Sequence, residues 1–237
     1  DSLVDVENVD GSQYADTLAG SSVANVLSGE NGDDSFIGSE GNDTLRGGAG
    51  VDTVSYGNAS GAMAINLAQG SATGMGTDRL DLIENVSGSQ YDDIITGSSV
   101  ANTLSGLAGN DTISAGGGDD TLLGGAGDDL LDGGSGSDVI DGGDGVDTVS
   151  YAGELGNAVS VDLATGMGVT ASGTDSLTNI ENVIGSAADD IIGGNDATNT
   201  LIGGAGNDTL LGSAGDDVLQ GGGGSDTVDF SNVNSAV

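Results

Sequence analysis

Aspartate recurs along much of this 237-residue chain at an interval of nine, with glycine ahead of it. Residues 29–37 read GENGDDSFI, the next nine GSEGNDTLR and the next GGAGVDTVS. Each copy sets Gly at position 1, Gly at position 4, Asp at position 6 and a large apolar residue at position 8. A carboxylate behind a glycine turn, with turn carbonyls beside it, offers hard oxygen donors, which suit calcium before magnesium. The sequence has no histidine and no cysteine, so transition-metal ligation, disulfides and a nucleophile paired with a base are all excluded. Catalysis would need carboxylate pairs about 5–9 Å apart, and a cation cage accounts for every such pair.

The nine-residue frame defines three blocks, 11–55, 88–150 and 185–229. Position 8 holds Leu18, Leu27, Phe36, Leu45 and Val54 in the first, and Ile95, Leu104, Ile113, Leu122, Leu131, Ile140 and Val149 in the second. Ile192, Leu201, Leu210, Leu219 and Val228 fill it in the third. The candidate metal ligands are the position-6 carboxylates Asp34, Asp43 and Asp52, then Asp111, Asp120, Asp129, Asp138 and Asp147, then Asp208, Asp217 and Asp226. The first two repeats of every block are irregular, with Tyr14, Val23, Tyr91, Val100, Ala188 or Ala197 in place of the second glycine. Asp16, Asp93 and Asp190 are therefore second-rank ligands. Asn25, Asn102 and Asn199 put a neutral amide where an anion is expected, and these rungs should bind calcium weakly or not at all.

Elements that would position these carboxylates follow from the spacing. Glycine permits the tight turn, and the three residues centred on position 8 make a short strand with one side chain inward. Two nonapeptides close one coil, and stacked coils about 4.8 Å apart bring the Asp of one repeat beside the turn two repeats on. One apolar side chain per nine residues is a thin core against the entropy of ordering them. With 38 acidic residues against two arginines, the net charge is -36. Facing carboxylates should repel until a divalent ion lies between them, so folding and binding are expected to be one event.

Segments 56–87 and 151–184 separate the blocks. Each carries an alternating run, AMAINLA at 62–68 or AVSVDLA at 158–164, and ends in I-E-N-V. Val86 and Val183 precede Ile95 and Ile192 by nine, with Glu84 and Glu181 in the Asp place. The frame thus runs through both segments, which are expected to be enlarged coils of one solenoid. Residues 1–10 read as the end of such a segment, with Glu7 and Val9 in frame, and 230–237 as the start of another, as in an array that continues. Tyr14, Tyr56, Tyr91 and Tyr151 recur at block boundaries, where packing is expected of them. Arg46 and Arg79 should find partners on the acidic surface. Such a charge excludes nucleic acid and anionic membrane as direct partners, and no run of about 18 apolar residues is present to insert in a bilayer.

The repeat, G-G-x-G-x-D-x-U-x, resembles the hemolysin-type calcium-binding nonapeptide of the RTX (repeats-in-toxin) family, and the resemblance covers nearly the whole chain. It implies an all-β fold, a right-handed parallel β-roll or β-helix solenoid with multiple calcium ions in its turns. It also implies type I secretion and folding on extracellular calcium. The expected role is a non-enzymatic, calcium-binding structural repeat of a secreted or cell-surface bacterial protein, such as an adhesin, S-layer or extracellular filament. Further copies of itself or other extracellular components are then its candidate partners. The alternative is the calcium-binding C-terminal region of a type I secreted hydrolase or toxin whose catalytic domain lies outside this chain.

Overall fold

The computed structural model describes residues 6–154 and 156–231; the rest of the expected terminal segments, 1–5 and 232–237, lies outside them. Within these residues, turns break the chain into short strands that alternate, outside the inter-block segments, between two sheets of 13 strands each. Strands one coil apart pair in parallel at a separation of eighteen residues, as in Leu104 opposite Leu122 and Leu122 opposite Ile140. Parallel pairing in register stacks identical positions, so the residue at position 8 always meets its own kind. Phe36, Leu104, Ile113, Leu122, Leu131, Ile140, Ile192, Leu201 and Leu210 are fully buried between the sheets. Neighbours such as Ile94, Leu130 and Val139 face outward and are exposed. In the outermost coils position 8 loses cover: Leu18 and Leu219 are only partly buried, and Val228 is 45% exposed.

Several strands exceed the three residues expected. Val26–Asn31, Thr103–Ala108 and Thr121–Ala126 run on into the turn, because that part of the turn keeps register with the next coil, Leu107 lying opposite Gly125.

The two inter-block segments differ from simple widened coils. In the first, Ala64–Asn66, Ser71–Thr73 and Thr77–Asp81 form an antiparallel meander inserted into one sheet. In the second, Ser160–Asp162, Met167–Val169 and Thr174–Thr178 do the same in the opposite sheet. The roll is therefore parallel except at these two places. A glycine in the left-handed region, Gly70 (φ 64°) or Gly166 (φ 68°), closes each hairpin. The alternating runs bury Met63 and Ile65 in one segment and Val159, Val161 and Leu163 in the other. Val86 then pairs with Val54 and Leu104, and Val183 with Val149 and Leu201.

Tyr56 and Tyr151 are buried, but Tyr14 is 79% exposed and Tyr91 45% exposed. Packing is thus not the role of the latter two, which hold position 4, at the outside of the turn. Arg79 pairs with Asp81 on the surface at 3.1 Å, and Arg46 lies opposite Asp81 in the neighbouring strand.

Candidate metal centre

The glycine turn directs each position-6 side chain back under the turn, where its two oxygens meet different surroundings. Oδ1 accepts the backbone N–H of the position-6 residue one coil earlier. Asp34 receives it from Asp16, Asp52 from Asp34, Asp111 from Asp93, Asp129 from Asp111, and Asp208 from Asp190, at 2.7–2.9 Å. These bonds build a ladder along each edge of the roll. The in-frame glutamates continue it across the inserts: Glu84 accepts from Asp52 and Glu181 from Asp147, both at 2.9 Å.

Two rungs escaped the sequence reading. Asp78 accepts the N–H of Asp43, and Asp175 that of Asp138. Both are buried, and each takes a second hydrogen bond on Oδ2, from the hydroxyl of Tyr56 at 2.9 Å or Tyr151 at 3.0 Å. The shared strings GTDRL at 76–80 and GTDSL at 173–177 were the available signal, but their distance from the nine-residue frame concealed it. Position 5 carries an outer, exposed ladder, with Asp92 accepting from Asn110 and Asp128 from Val146.

Oδ2 of the position-6 residues is the unusual atom. In Asp34, Asp52, Asp111, Asp120, Asp129, Asp138, Asp147 and Asp208 it is buried and has no hydrogen-bond partner. It does have a neighbour of the same polarity. A methyl group placed on Gly106 would sit 2.0 Å from Asp111 Oδ2 and 2.7 Å from the carbonyl oxygen of Gly124, one coil on. The same group on Gly124 would sit 2.3 Å from Asp129 Oδ2 and 2.4 Å from the carbonyl of Gly142. Position 1 is glycine in seven of these eight turns, Ala115 before Asp120 being the exception, and around Gly106 and Gly124 it lines a cradle into which a carboxylate oxygen and a carbonyl oxygen from adjacent coils both project. Buried acceptors without a donor are costly; a hard cation satisfies both at once.

Electrostatics reinforce the point. Burial, with smaller contributions from neighbouring carboxylates, pushes Asp111 up to about 7, and Asp120 and Asp147 up to about 6. Asp52, Asp129, Asp138 and Asp208 move in the same direction, again mainly through burial. Metal-free, these carboxylates are held in an environment that resists their charge. Among the described residues no three acidic side chains converge on a point; single carboxylates lie beside turn carbonyls.

The remaining candidates are placed differently. Oδ2 of Asp43 accepts a hydrogen bond from the Ser39 hydroxyl at 2.8 Å, and that of Asp217 one from Ser213. Oδ2 of Asp16, Asp93 and Asp190 accepts the N–H of Ser12, Ser89 and Ser186. Asp226 accepts the N–H of Asp208 at 3.1 Å, in an exposed outer turn. Asn25, Asn102 and Asn199 donate from Nδ2 to the carbonyls of Glu7, Glu84 and Glu181 in the preceding coil.

The family model for the RTX calcium-binding nonapeptide repeat (4 copies) matches residues 10–45, 28–60, 87–122, 96–131, 114–149, 178–210 and 193–228. No curated protein matches the chain.

Proposed function

The chain belongs to the RTX calcium-binding nonapeptide repeat family, a calcium-binding β-roll of a kind typical of extracellular proteins, and from that premise we propose that it is a structural segment of a secreted or cell-surface protein which folds on meeting calcium. Multiple calcium ions per domain are a property of these repeats. The holders we assign are Asp34, Asp52, Asp111, Asp120, Asp129, Asp138, Asp147 and Asp208, together with turn carbonyls of the same edge. The observation that carries this reading is their eight buried Oδ2 atoms, which have no donor and can be satisfied by a cation.

An architectural role, as in an adhesin, S-layer or extracellular filament, fits the repetition. Nearly the same turn recurs along the roll, and its buried carboxylates are either orphaned and suited to metal or held by hydrogen bonds from the protein, an arrangement built for architecture more than for catalysis. Among the described residues the outermost strands are Asn8–Asp10 and Val218–Gly223 in one sheet and Thr17–Ala19 and Thr227–Asp229 in the other. Strand edges of this kind can pair with further copies or other extracellular components. Among the described residues no helix is long and apolar enough to cross a membrane.

Far-ultraviolet circular dichroism in chelator and in millimolar calcium tests the folding reading. Little β-structure is expected in chelator, and a roll in calcium. Equal β-content in both conditions would sink it.

A further inference from the structure

The ladder has two kinds of rung, and resting on the calcium reading above, we propose that position 2 of each repeat decides which turns take the metal. Turns with serine or asparagine there are metal-free rungs in which a protein donor stands in the place of the cation.

The division follows the backbone. Wherever Oδ2 is orphaned, position 2 lies in the left-handed region, even where it is not glycine: Glu30 (φ 77°) precedes Asp34, and Leu107 (φ 80°) precedes Asp111. In that conformation neither its N–H nor a side-chain hydroxyl reaches the carboxylate. Where position 2 is serine, φ is not positive, and the N–H or Oγ supplies a hydrogen to the position-6 side chain. Ser39 shows the substitution directly, because its hydroxyl bonds Asp43 and also lies against Gly20, the position-1 glycine one coil earlier. In the Asn25 turn it thus stands where metal-ready turns such as that of Asp111 place a carbonyl oxygen.

Asparagine obeys the same division. It replaces aspartate at position 6 only where position 2 is Ser21, Ser98 or Asn195, and in each case its backbone-facing oxygen takes the position-2 N–H. Its Nδ2 then donates to a carbonyl of the preceding coil, joining coils without charge. At the inserts the hydroxyls of Tyr56 and Tyr151 serve Asp78 and Asp175 alike. Metal-free rungs therefore open every block and occur within both inserts, whereas Asp52 and Asp147, the last turns before the inserts, remain metal-ready.

Native mass spectrometry of the 237-residue chain in calcium reads the number of bound ions and tests this. Asp43→Asn and Asp217→Asn should keep the wild-type count, since asparagine already occupies equivalent serine turns. Asp129→Asn should lose at least one ion. Ser39→Gly, which frees Asp43 Oδ2 and permits the left-handed conformation, should gain one, and it keeps the test informative if Asp129→Asn fails to fold. Loss of ions from Asp43→Asn equal to that from Asp129→Asn, or an unchanged count in folded Ser39→Gly, would overturn the proposal. A wild-type chain that binds no calcium would instead refute the reading on which it rests.

Discussion

A single aspartate here does two jobs with two oxygens. Oδ1 is a structural acceptor for the neighbouring coil, whereas Oδ2 is either supplied with a hydrogen or left for a cation. A proton is the smallest cation that can serve. The pKa values of Asp111, at about 7, and Asp120 and Asp147, at about 6, are raised above the ordinary 3.8. The calcium-free fold therefore binds more protons than the unfolded chain between pH 4 and 7. This contribution to stability is complete below about pH 4 and lost as pH rises through 6 to 7. Lowering the pH of the chelated chain from 8 to 5 should accordingly restore part of its β-structure, while weakening calcium binding, which needs the ionised form. A dichroism titration in chelator, with light scattering to exclude aggregation, checks this; β-content that falls on acidification contradicts it.

The element that repeats is a turn followed by a strand, and its stability is shared only with its neighbours. Each nonapeptide contributes one large core side chain, so the cost of losing that side chain depends on how completely the adjacent coils enclose it. Leu122, 0% exposed between Leu104 and Ile140, should cost about 2–5 kcal/mol when changed to alanine, the range for a large-to-small change in a packed core. Val228, 45% exposed in an outer strand, should cost well under 1 kcal/mol, as expected of substitutions away from the core. Denaturant melts of both variants in saturating calcium compare them, and equal losses would mean that the roll is not held by its inner row. Calcium adds to each metal-ready turn, by about 2.7 kcal/mol per site when its concentration exceeds the site Kd a hundredfold.

Across the whole molecule, the meanders set the geometry. Each places two more strands in one sheet than in the other, lengthening that side by about 10 Å at a strand spacing of about 4.8 Å. They fall in opposite sheets, so the two lengthenings offset one another and both sheets have 13 strands among the described residues. The arrangement depends on parity, because each nonapeptide moves the chain to the other sheet. Deleting residues 124–132, one nonapeptide, should bring both meanders onto the same side and bow the roll. Deleting 115–132, two nonapeptides, should leave it merely shorter. Small-angle scattering in calcium separates the two, and identical curvature in both variants would show that the meanders do not steer the rod.

What could be read without coordinates was whatever the nine-residue period controls. Leu122 and its equivalents had to face inward because strands alternate their side chains, and Asp129 and its equivalents had to stack because identical turns pair in parallel. Glu84 and Glu181 were legible for the same reason, as they keep the frame. The direction of the insert strands was not, since an alternating run such as AMAINLA fits a parallel or an antiparallel neighbour equally well. Nor was the pairing of Tyr56 with Asp78 or Tyr151 with Asp175, which spans more than 20 residues and exists only because the meander folds back over the coil. The difference between Asp34 and Asp43 is finer still. Both fit the repeat, but a hydrogen bond from Ser39 satisfies one buried oxygen and nothing satisfies the other, a matter of donor position that only the packed turn decides.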